Sequence, residues 1–80
     1  MEYSEIISER ILMYCKNKSI TVNKLATLSG MSQSTINNIM KSNAKNPTIR
    51  SLNQIAQGLD VTLSEFFNFS EMNDTVFTDE

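Results

Sequence analysis

Apolar residues recur along this chain at spacings of three and four, with no strict alternation, so the pattern spells helices and no strands. Ile7, Ile11, Tyr14 and Cys15 share one side of a first helix expected from about Ser4 to Lys16. Glu5 and Glu9 near its start suit the positive end of the helix dipole. Asn17 to Ser19 form a polar break. Thr21 can then cap a second helix, Val22 to Ser29, whose apolar face is read as Leu25, Ala26 and Leu28. Gly30 supplies the positive φ that ends it. Ser32 caps a third helix, Gln33 to about Ser42, with Ile36, Ile39 and Met40 apolar. Asn43 to Asn46 make a polar loop closed by Pro47, which cannot continue a helix from before it. Thr48 caps a fourth helix with Ile49, Leu52, Ile55, Ala56 and Leu59 spaced as a buried stripe. Thr62 followed by Glu65 is a capping box that opens a short fifth helix through Phe66 and Phe67.

The second and third helices, hinged at Gly30, form a helix-turn-helix, and the small Ala26 lets them approach closely. The second member of such a pair can lie in a DNA major groove. The same geometry also serves proteins that never meet nucleic acid, so charge has to decide.

The net charge of -2, from nine acids and seven bases, argues mildly against a polyanion partner. The order of the charges argues the other way. Arg10, Lys16, Lys18, Lys24, Lys41, Lys45 and Arg50 follow one another without a carboxylate between them, and acids hold both ends. Shuffling the sixteen charges would produce that run only about once in a thousand tries. A charge run is most often a solvated face, but this one spans the helix-turn-helix. A phosphate responds to the local field within a Debye length of ~8–10 Å, not to the total.

Eighty residues make one small domain, expected over residues 1–69, followed by an acidic tail at 70–80 whose apolar candidates for docking are Val76 and Phe77. The chain has one cysteine and no histidine, which excludes an internal disulfide, a zinc site of the usual Cys/His kind and an imidazole base. Cys15 reads as a small buried hydrophobe. No stretch approaches the ~18 apolar residues of a membrane span, and the acidic start is unlike a signal peptide, so cytoplasm is the expected compartment. Without a Gly-rich phosphate loop, a metal cluster or a carboxylate pair in the expected core, an enzyme lacks machinery and no cofactor or small-molecule ligand is implied.

Five helices in this order resemble the phage-repressor-like (Cro and lambda-repressor type) DNA-binding domain, over roughly Ser8 to Phe67. The likeness rests on landmarks taken together. They are Leu25-Ala26 before Gly30, Ser32-Gln33-Ser34-Thr35-Ile36, Asn46-Pro47-Thr48, Leu52-x-x-Ile55-Ala56 and Val61-x-Leu63-x-x-Phe66-Phe67. The resemblance implies a compact all-α, five-helix domain that binds double-stranded DNA as a homodimer and reads bases from the start of its third helix. The matching positions are Gln33, Ser34 and Asn38, with Asn37 a further candidate. Their chemistry fits independently, because Gln and Asn can pair a donor and an acceptor with adenine N6 and N7, and Ser can play either role. Phosphate contacts are implied at Thr21, Asn23 and Lys24, at Thr35, and at Lys41, Asn43, Lys45 and Asn46. Arg10, Lys16 and Lys18 are the weaker members of the basic set, readable as solubilising charges alone.

The chain departs from the family pattern in three places. Val22 stands where a phosphate-binding glutamine is common, so the bracing contact there is apolar or missing. Cys15 and Met40 replace a buried Arg–Glu pair found in some relatives and are expected to touch, which avoids the cost of burying charges. Ser42 and Asp60 replace common glycines, and Asp tolerates a left-handed backbone better than Ser does. Among the clustered aromatics, Phe66 or Phe67 is expected in the core and Phe69 at a weak dimer contact. The function expected is a sequence-specific transcriptional regulator, a repressor acting on palindromic operators. The alternative from another class is an antitoxin or similar protein-interaction module, its acidic tail folding on a basic partner.

Overall fold

The computed structural model describes residues 3–41 and 47–70, and among them every regular element is a helix. In chain order these are α1 (Tyr3–Lys18), α2 (Val22–Ser29), α3 (Gln33–Met40), α4 (Ile49–Gly58) and α5 (Leu63–Phe66). No helix of the described residues is long and apolar enough to cross a membrane.

The starts of the last four helices follow the hydroxyls. Thr21, Ser32, Thr48 and Thr62 each hold extended backbone and accept from the amide three residues on. At α5 the box is reciprocal, since the Glu65 carboxylate also accepts from the Thr62 amide. The ends share a second device. Gly30 at φ 69° lets the Met31 amide reach back to Ala26 O (3.0 Å) and its own amide to Thr27 O (3.2 Å). Ser19 (φ 56°) closes α1 the same way with Ile20 N–H on Cys15 O, and Asp60 (φ 62°) closes α4 with Val61 N–H on Ala56 O, both 3.0 Å. In each case the residue after the left-handed one folds back onto the core, as Ile20, Met31 and Val61 do. Asp60 therefore does what its place in the sequence asked of it. Ser19 strains to do likewise. Helix α1 runs on to Lys18, past the expected Lys16, and α3 and α5 stop at Met40 and Phe66, with Lys41 and Phe67 as their caps.

The core is a single cluster of Ile7, Ile11, Cys15, Leu25, Ala26, Ile36, Ile39, Leu52, Ile55, Ala56, Leu59 and Phe66. Helix α2 lies chiefly along α4, and α1 along α3. At the α2–α4 crossing a Cβ on Gly58 would run into the Ser29 hydroxyl and come within 3.2 Å of the Leu28 carbonyl carbon. Gln54 Nε2 donates to Ser29 O nearby (3.3 Å). The α1–α3 pair is tied by Ser8, buried on α1, whose hydroxyl donates to Ile39 O at 3.1 Å. Cys15 is buried and Met40 packs half-buried against the same core. Burial pushes the Cys15 thiol pKa up.

Two expected core positions lie outside it. Leu28 is 48% exposed, because the buried face of α2 centres on Leu25, Ala26 and Ser29 and leaves Leu28 at its flank. Ile49 is 69% exposed, because the buried stripe of α4 begins only at Leu52, one turn further in. Phe66 is wholly buried and Phe67 meets it edge-on. Phe69 is half-buried, not free for a partner on both faces, since the Arg10 guanidinium sits 4.4 Å from its ring centroid.

Arg10 is no mere solubilising charge. Its Nε donates to Phe66 O (3.0 Å) and its Nη2 to Glu65 O (3.2 Å) and Tyr14 Oη (3.3 Å). The guanidinium also lies 4.9 Å from the Tyr14 ring centroid, so it fastens the end of α5 onto α1. Two of these bonds satisfy the carbonyls that a four-residue helix leaves open.

Ser19→Gly should raise stability by about 0.5–1 kcal/mol in urea unfolding by removing left-handed strain, whereas Gly58→Ala should cost about 1–3 kcal/mol through overpacking. Arg10→Ala should cost about 1–3 kcal/mol and Arg10→Lys should recover only part of it, because an ammonium cannot fork to two carbonyls. The native thiol of Cys15 holds its proton longer than the unfolded one. Its contribution to stability is therefore full below the unfolded pKa and declines as alkali rises past it, and Cys15→Val should flatten that decline in a pH series of melts.

Candidate nucleic-acid interface

Helix α3 has two faces. Ile36 and Ile39 point into the core and Met40 lies at its edge, while Gln33, Ser34, Thr35 and Asn38 are exposed and Asn37 is half-buried. The outward set is made wholly of amides and hydroxyls. Each can donate and accept, which is the chemistry that base edges in a major groove present in return.

The start of the helix is pre-arranged by Ser32. Its Oγ accepts from the Thr35 amide at 3.1 Å and pairs with Thr35 Oγ1 at 2.7 Å and Ser34 Oγ at 3.3 Å. The Thr35 hydroxyl is thus part of the cap, though the residue stays exposed. One turn on, Gln33 Nε2 donates to Asn37 Oδ1 at 3.2 Å, so these two amides form a pair along the outer face.

The start of α2 presents a comparable end. Thr21 Oγ1 takes the Lys24 amide at 3.0 Å, leaving the first amides of the helix without an acceptor inside it. Thr21, Asn23 and Lys24 are all exposed, and Asn23 O accepts from Thr27 Oγ1 at 3.4 Å. Val22 is half-buried against the core, so the brace at this position is apolar. Lys41, exposed, caps the far end of α3. Amide ends and lysines of this kind suit phosphate oxygens. From Lys16 to Arg50 the sequence carries no carboxylate, so nothing in that stretch opposes them.

Asn43, Lys45 and Asn46 lie outside the described residues, as does the 71–80 part of the acidic tail. The structure therefore brings together Gln33, Ser34, Asn37 and Asn38 on one helix face, with Thr35 and Lys41 on the same helix, and sets Thr21, Asn23 and Lys24 at the start of the partner helix.

Sequence reasoning missed the residues that hold this surface in place. Gln54 and Gly58 of α4 both address Ser29, the last residue before the turn, and Ser8 grips the end of α3 from α1. Helical periodicity puts Ser8 beside Ile7, Ile11 and Cys15 and could have flagged it. Nothing local to Gly58 distinguishes it from an ordinary helix-ending glycine.

Comparison with known proteins meets this geometry. The chain is 33% identical over 67 residues to the HTH-type transcriptional regulator SlrR of Bacillus subtilis (strain 168), covering 84% of this chain and 44% of that one. The chain thus spans less than half of that relative's length. Among solved structures it resembles the prophage Lp1 protein 11, with a TM-score of 0.82 at 30% identity over 90% of this chain and 95% of the other. It also resembles the restriction-modification controller protein C.Esp1396I, with a TM-score of 0.75 at 26% identity over the whole of both chains. The family model of the Cro/C1-type HTH DNA-binding domain matches residues 10–71, the stretch that contains α2 to α5, and the chain belongs to that family.

Proposed function

We propose that this chain is a sequence-specific transcriptional regulator of cytoplasmic DNA, a repressor that lays α3 in the major groove of a palindromic operator. The observation that carries the reading is the outer face of α3, with Gln33, Ser34 and Asn38 exposed above a buried Ile36 and Ile39. A helix half-sunk in a core needs some polar face, but not one made only of groups that read bases. The basic run from Lys16 to Arg50, with no carboxylate inside it, supports it, because lysines and arginines near the backbone gain from counterion release. The regulator named among its relatives is consistent with the same role.

In this reading Gln33, Ser34 and Asn38 touch base edges. Thr21, Asn23, Lys24, Thr35 and Lys41 hold phosphates, joined by Asn43, Lys45 and Asn46 from the loop. A two-fold dimer would set two copies of α3 about one helical turn apart on the duplex, and occupying such a site is enough to exclude polymerase.

Two measurements test the division of roles. Affinity for a selected duplex should fall steeply as salt rises, and a flat response in a titration from low to physiological salt would falsify the phosphate-facing surface. Gln33→Ala should relax the preference at one base pair by about 1–3 kcal/mol, while Lys24→Ala should weaken cognate and random duplexes alike.

A further inference from the structure

We infer that Asn37 is a positioning residue for base reading: by accepting from the Gln33 side chain it biases Gln33 toward adenine and against guanine. The inference rests on α3 being the base-facing helix, as proposed above.

A glutamine amide has two N–H donors and one carbonyl acceptor. One donor of Gln33 is spent on Asn37 Oδ1 at 3.2 Å. One donor and the acceptor remain, and they match adenine, whose major-groove edge offers N7 as acceptor and the N6 amino group as donor. Guanine offers N7 and O6, both acceptors, so a bidentate contact needs two donors from the same amide. Bound as it is to Asn37, Gln33 has only one left, and its carbonyl oxygen would face O6. The pairing therefore discriminates by what it withholds.

Two further features place Asn37 behind Gln33 instead of beside it as a second reader. Asn37 is half-buried while Gln33, Ser34 and Asn38 are exposed, so it sits lower on the helix surface. A Gln with an Asn four residues later is a pair that helices favour, so the amide plane is biased before DNA arrives. Gln33 is then partly ordered in the free protein, and somewhat less side-chain freedom is lost on binding. Asn37 was expected from the sequence to touch a base itself; its bond to Gln33 assigns it the supporting part.

The test uses the intact chain and four variants, Gln33→Ala, Asn37→Asp, Asn37→Leu and Asn37→Ala, with helix content checked by circular dichroism. Selection from a random duplex pool with wild type and Gln33→Ala identifies the base pair whose preference depends on Gln33. Dissociation constants are then measured on A·T and G·C versions of that pair. Wild type should favour A·T by about tenfold or more. An aspartate can only accept, so Asn37→Asp should keep that ratio although its charge weakens binding to every sequence. Asn37→Leu and Asn37→Ala should reduce the ratio to a few-fold and leave the other positions of the consensus unchanged. An undiminished A·T preference in Asn37→Leu or Asn37→Ala overturns the inference, as does its loss in Asn37→Asp. If Gln33→Ala alters no position of the consensus, the base-facing reading of α3 itself has failed, a result distinct from either.

Discussion

The fold turns on the crossing of α2 and α4, where a glycine in one helix admits the end of the other. Two eight-residue helices joined by a short turn cannot hold an angle by themselves, since isolated helices of that length are marginal in water. Their geometry has to be imposed from outside. Gly58 removes the Cβ that would push α2 away, and Gln54 binds the carbonyl of Ser29 at the lip of the turn. Gly30 then sends the chain off in a left-handed step that aims α3. The orientation of α3 is thus fixed by α4, a helix outside the helix-turn-helix itself.

A cost accompanies that contact. Ser29 Oγ is buried and has no hydrogen-bond partner among the described residues, a desolvation penalty of about 1–3 kcal/mol. The second side of the frame spends less. Ser8 reaches across to the carbonyl of Ile39 at the end of α3, so a neutral hydrogen bond joins α1 and α3. Arg10 closes the third side by taking the carbonyls at the end of α5, with Tyr14 and Phe69 against its guanidinium.

Local chemistry was legible in the sequence and distant chemistry was not. Thr21, Ser32, Thr48 and Thr62 announce helix starts because a capping hydroxyl acts three residues away, and Gly30 announces an end for the same reason of short range. The polar face of α3 was legible too, as periodicity alone separates Ile36 and Ile39 from Gln33, Ser34 and Asn38. Leu28 and Ile49 misled because an apolar residue near the right spacing still needs a neighbour opposite it, and the chain order does not say where neighbours stop. Arg10 was hidden for a related reason. The two carbonyls it binds lie fifty-five and fifty-six residues away, and no side-chain pattern advertises a backbone acceptor.

The helix starts differ in one respect with a consequence for ligand binding. Helices α2, α3 and α4 begin without an acidic residue in their first turn, whereas α5 completes its capping box with Glu65. A carboxylate would stabilise any of the first three as well as it does α5, but it would neutralise the positive dipole end that an anion approaches. Hydroxyl capping keeps those ends fastened and still electropositive. Backbone amides and Ser or Thr hydroxyls carry no proton that comes off near neutrality. The attraction they exert is insensitive to a modest acid or alkaline swing and answers to ionic strength instead.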